Sequence, residues 1–256
     1  MLGSEFVKAL PASPAKREEA IVSAVREGHV APIDWREIHS EHEGRRAILW
    51  VSGDALRIGD ASDSVRVSVT ARSAQVIADI LGCILPTTRI CDLIWEQATV
   101  RVPPCSQKLP PADPRPIACG TRVLQHHERV EEKVGGGKGL IENVGKYWVL
   151  SNRLAGDPSK AANYGWFDAA GGARFASGPS PQTKPGKHRL FQPLGMAHGI
   201  DHVDYAQVVR LVRRWAMIDG VRRDLVEVLQ DRELAALVSD EEPPCLARLP
   251  AVPPPP

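Results

Sequence analysis

Long apolar runs, an excess of one charge and paired cysteines are all missing from this sequence. No apolar run approaches the roughly 18 residues that a helix needs to span a bilayer, which excludes a membrane-spanning helix. The 32 basic and 31 acidic side chains give a formal charge of +1. The overall charge therefore offers no reason to expect nucleic acid or an anionic membrane as a partner.

The cysteines are odd in number and include no CxxC pair, which argues against a disulfide framework and against a structural zinc site. We therefore expect free thiols and a reducing compartment. The N-terminus also has no apolar core of a secretory signal, so a soluble, cytoplasmic protein is favoured. The five cysteines are Cys83, Cys91, Cys105, Cys119 and Cys245.

Both ends of the chain read as lying outside the folded core. Residues 1–16 carry Pro11 and Pro14 and predict a flexible leader, and the proline-dominated residues 242–256 predict a disordered tail. Residues 3–6 match the tetrapeptide that adjacent BamHI and EcoRI sites encode, which is typical of a vector-derived segment that could replace a native signal. A single domain is then expected over residues 17–241.

The hydrophobic pattern between these ends predicts an α+β fold, with a mixed or antiparallel sheet and flanking helices. A proline-rich connector is expected over residues 102–117 and a long loop over residues 168–188. Helices are predicted over residues 16–26, 70–81, 88–98, 121–133 and 224–238. Strands are predicted over residues 46–51 and 54–58 as a hairpin about Ser52-Gly53, and over residues 65–69, 146–151, 162–167 and 208–218.

Residues 198–205 (His-Gly-Ile-Asp-His-Val-Asp-Tyr) contain two histidines, two aspartates and a tyrosine, which makes this stretch the candidate functional site. His198 and His202 are four residues apart, as in the HExxH zinc helix, and Asp201 offers a third ligand. Glycine stands where that motif has its general-base glutamate, and it weakens the helix that would bring the imidazoles together. Zinc is therefore a minor alternative, and the main prediction includes no cofactor.

Catalysis without a metal is the leading interpretation of the same stretch. His198 would act as general base, Asp204 would orient its ring, and Tyr205 would contact the substrate or a developing oxyanion. The nucleophile would come from elsewhere: water, or one of Cys91, Cys83, Ser151 and Thr87. Cys91 is a catalytic candidate because it falls in the first turn of a predicted helix, where the dipole lowers the pKa of a thiol. Its apolar neighbours favour the alternative that it is a small core residue.

Substrate contacts are expected from residues outside the cluster. Lys146 and Arg210 could bind a carboxylate, and Tyr164 and Trp166 lie in an aromatic-rich strand segment. If the site is not catalytic, a groove for a carbohydrate or peptide is the alternative. The simplest alternative gives these residues no function: Asp201 and Asp204 form caps or turns, and the aromatic side chains belong to the hydrophobic core. The groove would be lined by Tyr147, Trp148, Tyr164, Trp166 and Tyr205.

Six short strings of residues, in this order, resemble those of a group of uncharacterised bacterial proteins, over roughly residues 17–241. In that group a serine and a histidine are usual where this chain has Ala206 and Gln207. If that serine is the nucleophile of the group, the resemblance implies an inactive version here; it supports a site at His198, Asp204 and Tyr205 without implying a reaction. The strings are Leu85-Pro86-Thr87, Ser151-Asn152-Arg153-Leu154, Tyr164-Gly165-Trp166, Gln192-Pro193-Leu194, His198-Gly199 and Asp204-Tyr205 through Arg210-Leu211-Val212.

The sequence as a whole favours a hydrolase acting on an ester, lactone or amide bond, with its site in residues 198–205. The alternative is a non-catalytic carbohydrate- or peptide-binding domain. Either way the expected partner is a small molecule or a peptide, with no nucleic acid and no membrane.

Overall fold

Six α-helices form in the described part of the chain, mostly where apolar residues recur at helical spacing. The computed structural model describes residues 1–108, 113, 115–168, 182–183 and 188–255. The helices are α1 (Gly3–Lys8), α2 (Pro14–Arg26), α3 (Ala71–Ile80), α4 (Thr88–Gln97), α5 (Gly120–Val134) and α6 (Leu225–Gln230), with 3₁₀ turns at Asn152–Ala155 and Ala235–Leu237. None of these helices is long and apolar enough to cross a membrane.

The strands form two five-stranded sheets and two small pairs. They are β1 (Trp35–His42), β2 (Arg45–Ser52), β3 (Arg57–Gly59), β4 (Ser64–Arg66), β5 (Cys83–Ile84), β6 (Val100–Arg101), β7 (Ile141–Glu142), β8 (Lys146–Val149), β9 (Ala162–Phe167), β10 (Gln182–Thr183), β11 (Arg189–Gly195), β12 (Gln207–Val208), β13 (Val212–Ile218) and β14 (Val221–Asp224). The first sheet has the order β1-β2-β13-β14, with β5 also paired to β13, and all its pairs are antiparallel. The second has the order β10-β11-β9-β8-β12, and β12 runs parallel to β8. Helices and mixed sheets together confirm the predicted α+β class.

Helix boundaries follow local capping signals. The Thr70 hydroxyl accepts a hydrogen bond from Ser73 N at 3.1 Å, and the Thr87 hydroxyl accepts one from Ile90 N at 3.2 Å. Such caps satisfy backbone donors that the first turn of a helix leaves unpaired. The helices predicted over residues 70–81 and 88–98 are thereby confirmed as α3 and α4.

The predicted hairpin about Ser52-Gly53 is wrong. Gly53 N donates to Asp34 O, and Ser52 N donates to Leu211 O. The chain at the end of β2 is therefore bonded to the segments before β1 and before β13 and does not turn back on itself. The hairpin turn lies at Glu43-Gly44, where both φ angles are positive, and it joins β1 to β2. A second turn with two positive φ angles, at Asp219-Gly220, joins β13 to β14.

Both ends of the chain pack against the domain, so the predictions of a flexible leader and a disordered tail are wrong. Val7 in α1 has no exposed surface, and the Ser4 hydroxyl donates to Asp63 at 2.6 Å. A Cβ atom on Gly3 would lie 2.3 Å from the backbone oxygen of Ile58, so this glycine packs closely against the domain. In the tail, three apolar side chains are buried in the core, although the proline content of this segment suggested disorder. They are Cys245, Leu249 and Val252, each at most 4% exposed.

One apolar core joins both sheets to the helices. A smaller apolar cluster of Trp166, Phe191, Tyr205 and Ala206 lies beside it at the second sheet. The predicted connector is irregular over residues 103–108, as its prolines require. Most of the long loop predicted over residues 168–188 lies outside the described residues.

Candidate active site

The predicted cluster lies against one end of the second sheet. On β8, Lys146 pairs with Gly165 of β9 on one side and with Gln207 of β12 on the other. The stretch before β12 is fixed by backbone hydrogen bonds to the segment preceding β9: Ala161 N donates to His198 O at 3.0 Å, and Ile200 N donates to Ser159 O at 2.8 Å. Residues 198–207 are thus held at the edge of the second sheet by backbone hydrogen bonds.

Lys146 and Asp204 form an ion pair that is largely shielded from water. The ammonium donates to Asp204 Oδ2, and the two side chains are 9% and 11% exposed. Asp204 Oδ1 accepts from Ala206 N at 2.8 Å, a turn typical of aspartate. Lys146 Nζ also lies 5.0 Å from the ring centroid of Trp166, within the range of a cation–π interaction. Carboxylate and indole together hold the ammonium in one place.

Trp166, the second-last residue of β9, has an unusual backbone conformation. Its φ is +54°, and that of the preceding Gly165 is +130°. The left-handed region costs a bulky residue about 1–3 kcal/mol, and such residues are concentrated at functional sites. Three other described non-glycine residues have positive φ: Glu43 and Asp219 lie in hairpin turns, and Asn143 is of a residue type that tolerates this conformation. The strained residue of the site is therefore the one whose ring contacts the Lys146 ammonium.

The imidazoles of His198 and His202 are stacked on each other. Their centroids are 3.9 Å apart, their planes differ by 3°, and both side chains are half-buried. Burial, together with the charges of His202 and Lys146, lowers the pKa of His198 below 6.5, against the opposing charge of Asp204. Burial also lowers the pKa of His202. Both rings are therefore mainly neutral at pH 7 and able to accept a proton.

The predicted catalytic triad is not assembled. Both oxygens of Asp204 are occupied, by Lys146 and by Ala206 N, so Asp204 does not orient the His198 ring by a hydrogen bond. The Tyr205 hydroxyl accepts from Gln107 N at 2.8 Å, and its ring is only 7% exposed. Tyr205 follows Asp204 directly, and its ring packs in the small apolar cluster.

The side-chain nucleophiles considered are all buried or occupied. Cys91 has no exposed surface and lies in the main core, so it cannot meet a substrate. Burial raises the pKa of Cys83 to about 12, which disfavours its thiolate. The hydroxyls of Ser151 and Thr87 donate to Glu241 and to Val238 O. The prediction of Cys91 as a catalytic residue is therefore wrong, and water is the remaining candidate nucleophile.

Two of the predicted substrate contacts are core residues. Arg210 has no exposed side-chain surface; it donates to Ser52 O at 2.6 Å and to Glu142 at 3.0 Å, and Glu142 is equally buried. Tyr164 is 1% exposed and donates to Asp92 at 2.6 Å. Arg210 and Tyr164 stabilise the fold, whereas Lys146 and Trp166 do lie at the site.

The alternative metal site is not formed either. Asp201 is exposed and accepts two hydrogen bonds from Arg72, at 2.7 and 3.1 Å, which direct its carboxylate to α3. Across the described ranges, no group of three or more His, Cys, Asp and Glu side chains is placed to hold a metal ion.

The aromatic groove of the alternative function is likewise not formed from the predicted residues. Tyr147, Trp148 and Tyr164 are each at most 1% exposed, because both faces of β8 and β9 are covered. The half-buried indoles lie on the first sheet instead, where Trp50 and Trp215 are in contact and Arg213 covers Trp35.

Sequence reasoning missed two buried amides on the strands that flank β8. Gln207 Oε1 accepts from Asp204 N at 2.8 Å, and Asn163 Oδ1 accepts from Gln192 Nε2 at 3.3 Å. In the part of the chain that the structure describes, Gln207 Nε2 and Asn163 Nδ2 have no hydrogen-bond partner, although both are buried. No sequence motif marks them, because their positions follow from the strand register, which places Gln207 opposite Lys146 and Asn163 opposite Trp148.

The chain matches no protein-family model, no curated protein and no solved structure. The chemistry of this site is therefore argued from its own residues.

Proposed function

We propose that the chain is a hydrolase of ester, lactone or amide bonds that uses water as its nucleophile. The observation that carries the proposal is the pair of stacked imidazoles, both favoured in the neutral form, beside the shielded Lys146–Asp204 ion pair. A base and a fixed positive charge at one place are what hydrolysis of a carbonyl compound requires.

In the proposed reaction, neutral His198 takes a proton from water as the water oxygen attacks the carbonyl carbon. The carbonyl π electrons move onto its oxygen, and the Lys146 ammonium stabilises that negative charge. When the tetrahedral intermediate collapses, the bond to the leaving oxygen or nitrogen breaks, and the imidazolium returns its proton to the leaving group. The products are a carboxylic acid and an alcohol or amine, and His198 is neutral again.

Two features support these roles. Asp204 and Trp166 hold the Lys146 ammonium, so its position does not need to reorganise during the reaction. Within the described residues, neither His198 nor His202 forms a side-chain hydrogen bond, which leaves their ring nitrogens available for water.

The test is turnover by the wild type and three variants against a panel of chromogenic esters, lactones and amino-acid amides, with and without EDTA. We expect His198→Ala and Lys146→Met to lower kcat by about 10²-fold or more, while His42→Ala, at an exposed histidine of β1, leaves turnover unchanged. Circular dichroism must show that each variant is folded. Loss of activity in EDTA that zinc restores would replace the proposal with a metal mechanism.

No turnover by the folded wild type on any member of the panel would overturn the proposal. A His198→Ala variant that retains full kcat would overturn the role of His198, because a general base cannot be removed without slowing the chemical step.

A further inference from the structure

A cavity of about 390 Å³ adjoins the site on the side of His202. Its walls come from three separate parts of the chain: the segment from Lys8 to Pro14, the residues that lead into α5, and residues 201–203. We infer that this cavity receives an apolar group of the substrate, so that the enzyme acts on esters or amides of hydrophobic carboxylic acids. The inference rests on the proposed hydrolase function and adds its substrate class.

The cavity walls are largely apolar. Leu10, Pro11, Ile117 and Val203 contribute to them, and Ile117 is one of the few large apolar side chains of the described residues that remain exposed, at 39%. Burying such surface against a ligand is favourable in proportion to its area. The volume falls in the range of small-molecule sites, roughly 300–1,000 Å³.

The charged groups of the walls are mostly engaged within the protein. Arg17 donates to Glu18, to Ala118 O and to Ser68 O, so all three nitrogens of its guanidinium are used. Asp201 accepts from Arg72. These groups would gain little from a charged ligand, which favours apolar contacts as the source of affinity.

His202 connects the cavity to the reacting groups. It lines the cavity, and its ring stacks on that of His198 with centroids 3.9 Å apart, so the cavity lies one residue away from the proposed base. An acyl chain that enters the cavity would therefore bring its carbonyl group toward His198 and Lys146.

Cys119 provides a reporter of occupancy. It lines the cavity and is the one cysteine with appreciable exposure among the five, all of which lie in the described residues. Burial raises the pKa of Cys83, Cys105 and Cys245, which slows their reaction with thiol reagents. In the native protein, Ellman's reagent should therefore modify Cys119 first, and Cys119→Ser should lose this fast phase.

The experiment measures the rate of that fast phase in the wild type with straight-chain carboxylates from acetate to octanoate. These are the products that the proposed reaction would release. We expect octanoate to slow modification about tenfold and acetate at equal concentration to have no effect. A rate unchanged by octanoate would overturn the inference, whether or not the protein hydrolyses esters.

A cavity-filling variant gives a second, independent measurement. Cys119→Phe should lower kcat/KM about tenfold for an octanoyl ester and much less for the acetyl ester, because the added ring occupies space that a long chain needs. Ile80→Phe, at an exposed apolar residue of α3 away from the cavity, is the matched control and should keep the wild-type preference. Equal losses on both esters by a folded Cys119→Phe variant would contradict the inference.

The two proposals fail separately. Protection of Cys119 by octanoate without turnover of any ester would leave a binding cavity and overturn the hydrolase. Turnover without protection and without a chain-length preference would leave the hydrolase and overturn the cavity as its substrate site.

Discussion

The rings of His198 and His202 lie face to face, 3.9 Å apart and nearly parallel. Two protonated rings at this distance would repel each other, and the charge of His202 is one of the causes that lower the pKa of His198. The Lys146 ammonium acts in the same direction on both rings. The pair therefore stays neutral to more acid pH than an isolated histidine would.

This relationship predicts the pH dependence of turnover. A general base works only when neutral, so kcat/KM should fall on the acid side with a midpoint below 6.5, the ordinary pKa of histidine. Replacing His202 with Asn removes one cause of the lowered pKa of His198, and the midpoint should shift to higher pH. A pH–rate profile of both proteins measures this shift, and an unchanged midpoint would show that His202 does not act on the base.

A second prediction concerns the buried pair of Arg210 and Glu142. Arg210→Met should lower the free energy of unfolding by about 3–5 kcal/mol, because it leaves Glu142 buried without its partner. Denaturant unfolding measures the loss. The double variant Arg210→Met with Glu142→Leu should recover part of it, since no unpaired charge remains. A loss below about 1 kcal/mol in the single variant would contradict this structural role.

Local signals in the sequence predicted local structure well. The helices predicted over residues 70–81 and 88–98 each begin at a threonine whose capping hydrogen bond reaches a residue three positions on, and the structure confirms both helices. The leader was mispredicted because Pro11 and Pro14 suggest flexibility, whereas the anchor that fixes the segment is Val7, whose contacts come from the fold.

The site itself was only partly predictable. A cluster of histidines and aspartates was visible in residues 198–205, but the partner of Asp204 is Lys146, which is 58 residues away. Arg210 lies in an apolar run and was assigned to a ligand because its partner, Glu142, is 68 residues away and carries no motif. Strand register, not local pattern, decides such pairs.

A third prediction follows from the start of α5. Cys119 occupies the N-cap position with extended backbone, yet its side chain forms no capping hydrogen bond. Serine at this position can accept a hydrogen bond from a free backbone N–H of the first turn, so Cys119→Ser should raise the free energy of unfolding by about 1 kcal/mol. Thermal unfolding measures the gain. Cys119→Ala, which has no acceptor, is the matched control, and equal stability of the two variants would rule out capping.

The fourth prediction concerns His126, which is buried in α5 between two carbonyl groups. Its ring nitrogens lie 3.2 Å from Cys105 O and 3.1 Å from Val144 O, and burial lowers its pKa from 6.5 to about 4. The neighbouring His127 has a pKa that burial and Arg66 lower to about 4 as well. Both rings are therefore neutral in the folded protein at a pH where the unfolded chain would already bind protons.

The pKa of His126 is lower in the folded protein than in the unfolded chain. The free energy of unfolding therefore keeps its full value above pH 6.5 and decreases as the pH falls toward 4. The loss from His126 alone is about 3 kcal/mol, because its pKa is lowered from 6.5 to about 4 in the folded protein. Denaturant unfolding at pH 7, 5.5 and 4 measures it. His126→Gln should have a shallower pH dependence than the wild type, whereas His42→Ala, at an exposed histidine, should keep the wild-type slope. Equal slopes for the wild type and His126→Gln would mean that His126 is protonated as easily in the folded chain as in the unfolded one.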